Sequence, residues 1–376
     1  MVAAASVVAA VGTVTGMVSA LDALDEGGGK DRARPKVTKS PTLQPLPAVP
    51  TPSASKPPAK PSPVKSSAAP KPRPKPSTQR PKKPRPVTPK ANSLYRHGES
   101  QVIDWVRANR GDPRRPLIES RIADRPAAVW FAEYAPGTIT SRVRAVTSSA
   151  GNRVPVVVPY AIPDRDCGGA SQGGAPDLAA YDAWIGKFAA GLGSGEVIVV
   201  LEPDAIALSE CLSAQQRTAR YASLARAGRT LKAANPKARV YYDAGHSGWN
   251  AAAKQAGRLR AAGAASPASS DGVFTNVSNF HRTDDEAAYA RDVLSALGGP
   301  PGLGAVIDTS RNGNGAPADG EWCDPAGRSL GPSPTLRTGR DRIDAYLWIK
   351  LPGESDGCKG APGTFTPGYA YDLAGG

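Results

Sequence analysis

The chain has 376 residues and a formal net charge of +14, from 47 Lys and Arg against 33 Asp and Glu. Residues 30–90 carry sixteen basic residues and one acid, Asp31, so this segment accounts for the whole positive excess. It contains no aromatic residue, which excludes stacking on nucleic-acid bases there. We therefore expect a solvated basic linker and no nucleic-acid partner.

The N-terminus has features of an export signal. Residues 2–20 are uncharged and small to apolar, and Val18-Ser19-Ala20 has the small-residue spacing of a signal-peptidase site. The usual basic start is missing, and the length approaches that of a membrane span. We predict an exported chain in which residues 1–26 are either a cleaved signal peptide or a membrane anchor. Four cysteines, an even number, suit two disulfides outside the cell.

Residues 27–91 contain eighteen prolines among Lys, Ser, Thr and Ala. Such a segment cannot bury a core and favours an extended, stiff polyproline II conformation. We predict a disordered basic linker that holds the following domain away from a membrane or cell wall.

From residue 92 to residue 376, apolar runs alternate with Ala-rich helical stretches. Strands are predicted at 129–132, 154–158, 197–201, 239–242, 272–275, 305–308 and 345–349. Helices are predicted between them, for example at 177–192, 212–234 and 284–297, with Asp177 and Asp284 as N-caps. This alternation indicates the α/β class, and the length suits one barrel of seven parallel strands.

The strongest strand signal is the run of five apolar residues at 197–201, which indicates burial on both faces. Glu202 and Asp204 follow it directly, at the strand end where parallel barrels place their chemistry. Polar side chains follow the other predicted strands too. They are Glu133, Tyr134, Tyr160, Asp166, Asp243, His246, Asn276, Asn279, Asp308, Arg311, Lys350, Glu354 and Asp356.

Four tryptophans lie among these positions, namely Trp130, Trp249, Trp322 and Trp348. Some of the acids would serve equally well as helix caps. Carboxylates beside exposed indoles are nevertheless typical of carbohydrate sites, because carboxylates do acid–base work and indole faces stack on sugar rings. The three histidines show no metal-ligand spacing, and no HExxH or CxxC motif occurs. We therefore expect no metal and no cofactor.

Two stretches go beyond composition. They are Val158-Pro-Tyr-Ala-Ile-Pro-Asp-Arg-Asp-Cys-Gly168 and Ile198-Val-Val-Leu-Glu-Pro-Asp204. Together they resemble the two signatures of glycoside hydrolase family 6, the inverting cellulases, and shorter similarities extend the resemblance to the C-terminus. The resemblance implies a distorted, TIM-like (β/α) barrel that is incompletely closed.

The resemblance assigns three catalytic carboxylates. Asp204 would be the general acid, with its pKa raised by repulsion from nearby Asp166. Asp356 would be the base, although Asp166 acting through a water relay is an alternative. Inversion needs room for a water, so acid and base should lie roughly 6.5–9.5 Å apart.

The resemblance also implies substrate contacts and disulfides. Tyr160 would crowd the sugar at the cleavage point, and Ser171, or Gln172 after a one-residue shift, would be the serine of a mobile loop. The other predicted contacts are Trp130, Asp243, His246, Trp249, Asn279, Trp322, Lys350 and Glu354. The implied disulfides are Cys167–Cys211 and Cys323–Cys358, one of three connectivities that four cysteines allow.

Several of these residues have an ordinary structural alternative. Asp243 could cap a helix, and His246 could be a satisfied structural histidine. Trp348 lies inside an apolar strand, which favours a core position. Asp308 and Arg311 suit an ion pair at the rim as well as a sugar contact.

We predict an endo-1,4-β-glucanase that acts on cellulose or a soluble β-glucan as a secreted monomer. The endo prediction depends on the 35 positions between Cys323 and Cys358, which leave little chain for a lid over the cleft. The alternatives are a cellobiohydrolase on the same scaffold and a non-catalytic glycan-binding surface protein.

Overall fold

The computed structural model describes residues 93–375. The predicted signal or anchor at 1–26 and the predicted linker at 27–91 lie outside the described residues. Within the described part, no helix combines the length and apolarity needed to cross a bilayer.

Seven parallel strands form one sheet whose spatial order follows the sequence. They are β1 Val129–Phe131, β2 Val156–Pro159, β3 Val197–Leu201, β4 Ala238–Asp243, β5 Gly272–Thr275, β6 Gly304–Asp308 and β7 Ile343–Leu347. Beside the two edge strands, the backbone N–H of Ala128 donates to the Trp348 carbonyl at 2.9 Å. The sheet is a curled, incompletely closed barrel, which confirms the predicted fold class.

Two strands, β2 and β7, have a boundary two residues away from the prediction, for identifiable reasons. β2 begins two residues late, because Val154 pairs with Leu94 in an isolated bridge. β7, predicted at 345–349, ends two residues early. Just beyond this end, the backbone N–H groups of Ile349 and Lys350 donate to the Asp308 carboxylate, at 3.3 and 3.0 Å, and not to a neighbouring strand.

Helices alternate with the strands. They are α1 Gln101–Ala108, α2 Arg115–Ile118, α3 Ile139–Ser149, α4 Leu178–Ala190, α5 Ala214–Ala234, α6 Ala252–Ala261, α7 Thr283–Leu297 and α8 Pro367–Leu373. Asp177 caps α4 as predicted, since its carboxylate accepts the Ala180 N–H at 2.7 Å. Asp284 was wrongly predicted as a cap. It lies in the first turn of α7, where the helix dipole also favours acids.

The β3 strand shows how the core is divided. Val197, Val199 and Leu201 pack with the surrounding helices, whereas Ile198 and Val200 point into the barrel interior. All five are buried, which confirms the prediction of burial on both faces. Trp348 is only 2% exposed and packs in a third apolar cluster near α1 and α8, so its predicted core position is confirmed.

Because all seven strands run in the same direction, their C-terminal ends meet at one rim of the barrel. Residues directly after the strands therefore share that rim.

Candidate active site

A cleft of about 1100 Å³ opens at this rim. Its walls contain twelve of the thirteen residues predicted to bind or cleave substrate. They are Trp130, Tyr160, Asp166, Ser171, Asp204, His246, Trp249, Asn279, Trp322, Lys350, Glu354 and Asp356. The sequence therefore identified the side chains of one continuous groove.

Asp204 lies in the cleft wall, three residues after the end of β3, with a left-handed φ of 69°. Its surroundings raise its pKa to about 8. Burial is the largest cause, followed by the negative charges of Asp243 and then Asp166. The expected repulsion from Asp166 contributes, but it is not the main cause. Desolvation disfavours the charged carboxylate, so the group holds its proton at neutral pH.

Asp243 is the predicted contact that does not line the cleft. It is 2% exposed, and one carboxylate oxygen accepts the N–H groups of Ile206 and Ala207 at 3.1 and 2.8 Å. The other accepts the Gly245 N–H at 2.8 Å. Asp243 thus lies behind the wall, where it fixes the turn that follows Asp204.

Glu202 has a similar task on the other side of β3. Its buried carboxylate accepts the Ala161 N–H at 2.9 Å and the Ile162 N–H at 3.0 Å. This ties the end of β3 to the segment that follows Tyr160. Sequence reasoning placed Glu202 at the rim but gave it no role. The signal for one was its position inside the Glu-Pro-Asp signature.

Asp166 lies on a strained loop. Its own φ is 57° and that of Cys167 is 48°, both left-handed. One carboxylate oxygen, Oδ2, accepts the Ser171 N–H at 2.7 Å. A Cβ at Gly169 would lie 2.6 Å from that oxygen, so only glycine fits there. The Cys167–Cys211 disulfide anchors the loop, as the resemblance implied.

Arg165 supports the same loop and was not predicted to belong to the site. Its guanidinium lies 4.6 Å from the centre of the Tyr160 ring. It also donates to the Ser171 carbonyl at 2.7 Å and to the carbonyls of Ala132 and Tyr160. The Arg-Asp-Cys signature was the available signal. Arg165 thus links the Asp166 loop to the aromatic wall.

Two cationic side chains contact the third predicted catalytic carboxylate, that of Asp356. The fully buried Arg311 donates to Asp356 at 2.7 Å, and the Lys350 ammonium lies 3.3 Å from the other oxygen of Asp356. The suggested ion pair between Asp308 and Arg311 is wrong. The Asp308 carboxylate accepts backbone N–H groups, including that of Lys350.

Asp324 organises the loop that carries Asp356. One carboxylate oxygen accepts the Asp356 N–H at 2.7 Å. The other accepts the Ser355 hydroxyl at 2.5 Å and the N–H groups of Cys358 and Lys359 at 3.0 and 2.9 Å. Burial opposes ionisation, but these hydrogen bonds hold the pKa of Asp324 below its usual range. Sequence reasoning gave Asp324 no role, although the residue directly follows Cys323 of the implied second disulfide.

The second disulfide joins Cys323 to Cys358 with their Cα atoms 5.8 Å apart, so both implied disulfides are confirmed. Asp324 directly follows Cys323, and its carboxylate accepts the N–H groups of Cys358 and Lys359. Covalent and polar links therefore hold the same loop.

Aromatic side chains form the remaining walls. The rings of Trp130 and Tyr160 meet edge to face at 5.2 Å, and the Trp130 indole N–H donates to the Ile349 carbonyl at 2.7 Å. Trp249 is 36% exposed and Trp322 is 60% exposed, so both present indole surface to the cleft. Such surfaces suit the apolar faces of sugar rings.

Two further predicted contacts are ionisable. Burial raises the pKa of Glu354 to about 7. Burial lowers the pKa of His246 to about 4, so that its ring is neutral at pH 7. His246 lines the cleft and also binds the Ser247 carbonyl through Nδ1 at 2.7 Å, so it fits both interpretations of its role.

Comparison with known proteins decides the family. The family model described as glycosyl hydrolases family 6 matches residues 87–369. The chain belongs to this family. The expected resemblance is thereby confirmed, and this family 6 chain is a glycoside hydrolase of the cellulase group.

Relatives of this family 6 chain carry endoglucanase names. Endoglucanase 1 of Streptomyces sp. (strain KSM-9) is 57% identical over 75% of this chain and 78% of its own length. Endoglucanase A of Thermobispora bispora is 48% identical over 75% of this chain and 61% of its own length. More distant relatives at 32% identity are named probable 1,4-beta-D-glucan cellobiohydrolase C.

A solved structure agrees with the fold. The endoglucanase Cel6 from Mycobacterium tuberculosis, in complex with a methyl-cellobiosyl-4-deoxy-4-thio-β-D-cellobioside, superposes with a TM-score of 0.70 at 38% identity. The match covers 76% of this chain and 97% of that chain.

The Asp324 network predicts a specific weakness. Asp324→Asn should lower the free energy of unfolding by about 2 kcal/mol or more, because an amide nitrogen cannot accept the N–H groups that the carboxylate satisfies. Hydrolytic rate should fall as well, since Asp356 loses its support. Urea unfolding and an activity assay of the full chain measure the two effects.

Asp319→Asn is the matched control. Asp319 is exposed in the same segment and, among residues 93–375, accepts only the Glu321 N–H, at 3.1 Å, a bond that asparagine can keep. Equal stability and activity of the two variants would contradict the assigned role of Asp324.

Proposed function

We propose that this chain cleaves internal β-1,4-glucosidic bonds of cellulose or a soluble β-glucan with inversion. Asp204 acts as the general acid. The observation that carries this proposal is the raised pKa of Asp204 in an open cleft with tryptophan walls. A carboxylic acid that keeps its proton near pH 7 can protonate the oxygen of a leaving sugar.

The chemistry divides between the two sides of the groove. Asp204 gives its proton to the glycosidic oxygen as the bond to the anomeric carbon breaks, and a base removes a proton from the attacking water. Tyr160 lines the cleft beside Trp130, where it would crowd the sugar and favour a distorted ring. Trp249 and Trp322 would hold sugars further along the chain.

Asp356 is the base in this proposal, with Asp166 acting through a water relay as the alternative. Arg311 and Lys350 orient the Asp356 carboxylate, and between them they contact both of its oxygens. Asp166 keeps one oxygen that accepts no hydrogen bond from the described residues. A rescue experiment distinguishes the two.

The exposure of Trp322 supports cleavage at internal bonds of the glucan. No described segment covers Trp322, which stays 60% exposed, and the disulfide and the Asp324 network hold the adjoining loop down. A long glucan can therefore enter from the side. Endoglucanase names among the similar relatives agree with this proposal.

Export belongs to the proposal too. Two disulfides fit an oxidising compartment, and an insoluble polymer requires an enzyme outside the cell. We propose that the secreted or surface-anchored enzyme acts as a monomer.

Removal of the acid tests the central assignment. Asp204→Asn should lower kcat about 10²- to 10⁴-fold, because the leaving oxygen loses its proton donor, while binding of a cello-oligosaccharide persists. Wild-type kcat should fall as pH rises through about 8, where Asp204 loses its proton. Asp164→Asn, in an exposed position of the neighbouring loop, should change neither property.

The same pKa makes a stability prediction. A folded-state pKa above the unfolded value means that Asp204 costs stability as pH rises from its ordinary range towards 8. Asp204→Asn should therefore raise Tm at pH 7 and lose this advantage below about pH 4. Retained hydrolysis in this variant, or a lower Tm at pH 7, would contradict the assignment.

Azide rescue identifies the base. Removing the base side chain leaves room for a small anion that attacks without giving up a proton. We expect azide to restore turnover in Asp356→Ala and to yield an α-glycosyl azide, the product of inversion. Rescue of Asp166→Ala alone would transfer the role to Asp166.

The viscosity of a polymeric substrate distinguishes internal cleavage from cleavage at chain ends. On carboxymethylcellulose, viscosity should drop well before many reducing ends appear, because internal cuts shorten chains quickly. A slow viscosity loss in step with cellobiose release would instead indicate a cellobiohydrolase. Binding without any hydrolysis by the wild type would indicate a glycan-binding protein.

A further inference from the structure

Three potential metal ligands lie together beside the cleft wall. His246 follows β4, while His281 and Glu286 lie just before and within the first turns of α7. One ligand atom from each lies within 4.8 Å of the other two. The proposed glucanase mechanism uses neither His281 nor Glu286.

Glu286 has an unused ligand atom in a buried position. The residue is 0% exposed, and its Oε1 accepts the Ser247 N–H at 2.7 Å. Its Oε2 has no hydrogen-bond partner of good geometry among the described residues. Burial raises the pKa of Glu286 to about 7, and the neighbouring Ser247 and Thr275 offset part of that rise. A buried carboxylate oxygen without a partner is costly, which indicates that something else binds it.

His246 is already prepared as a ligand. Its Nδ1 lies 2.7 Å from the Ser247 carbonyl, so that Nδ1 carries the proton and Nε2 keeps a free lone pair. Metal-binding histidines usually donate their second N–H to a carbonyl or carboxylate in this way. Burial lowers the pKa of both His246 and His281, and a metal ion requires neutral imidazole.

We propose that His246, His281 and Glu286 form a binding site for a divalent transition-metal ion of the zinc type. Two imidazoles and one carboxylate form a common ligand set for zinc, with the fourth position left to water. Because His246 also lines the cleft, an ion bound to it would lie beside the substrate groove. The expectation of a chain without a metal rested on sequence spacing, which cannot show ligands that the fold brings together.

Binding requires one local movement. The rings of His246 and His281 stack with centroids 4.3 Å apart and planes 20° apart, so one ion cannot lie in both ring planes as they stand. The half-buried His281 ring makes no hydrogen bond to the described residues, so it is free to turn towards the ion. Its backbone N–H and carbonyl stay fixed by Asn276 and Asn312.

An occupied site would compete with the glucan. The ion would hold His246 and lie within reach of Trp249, whose ring centre is 5.2 Å from that of His246. Zinc should therefore weaken cello-oligosaccharide binding, and the oligosaccharide should weaken zinc binding by the same factor. This consequence depends on the proposed glucan groove, whereas zinc binding itself does not.

Zinc titration of the full-length chain tests the site without substrate. Calorimetry with Zn²⁺ at pH 7.5 should show one equivalent bound, and His281→Gln should weaken it about 100-fold or more, as loss of a ligand does. His97→Gln, which removes the chain's other histidine, is the matched control and should leave affinity unchanged. Histidine is absent from residues 1–92, so that segment does not obscure the titration.

A second measurement does not depend on any variant. Co²⁺ added to the wild type should give the intense visible bands of a four-coordinate site, and Zn²⁺ should abolish them. Weak six-coordinate bands, no stoichiometric binding, or equal loss of affinity in His97→Gln and His281→Gln would overturn the proposal. Zinc binding without any effect on cello-oligosaccharide affinity would keep the metal site and contradict the proposed position of the glucan.

Discussion

Buried carboxylates that accept backbone N–H groups hold the rim of this barrel together. Glu202 after β3 binds the segment after β2, and Asp243 at the end of β4 binds the turn after β3. Asp308 at the end of β6 binds the residues after β7. Each contact joins a carboxylate near the end of one strand to the loop that follows an adjacent strand. The loops that hold the proposed catalytic residues are therefore fixed to the sheet. Such preorganisation is what a catalytic groove requires.

Two other carboxyl groups of the rim, those of Asp204 and Asp356, have opposite electrostatic surroundings. On the β3 side, Asp204 has acids for neighbours and an apolar surrounding, which keep it protonated. On the β7 side, Asp356 has Arg311 and Lys350 for neighbours. The cleft therefore places one aspartate among acids and another between two cations. Environments that separate a pair of carboxyl groups in this way are the usual basis of acid–base catalysis.

Much of this was accessible from sequence because strand signals and signatures are local. The apolar run before Glu202 fixed β3, and the residues after each strand identified the cleft. What sequence could not give depends on partners distant in the chain. The burial of Asp243, the pairing of Arg311 with Asp356, and the supporting role of Asp324 each arise from contacts more than thirty positions apart. The Asp308–Arg311 pairing was wrong for the same reason.

The open edge of the barrel has a mechanical consequence. Beside β1 and β7, a backbone bond from Ala128 and the indole bond from Trp130 to the Ile349 carbonyl take the place of a full ladder. Loosening these two contacts would let the edges part without unzipping any strand.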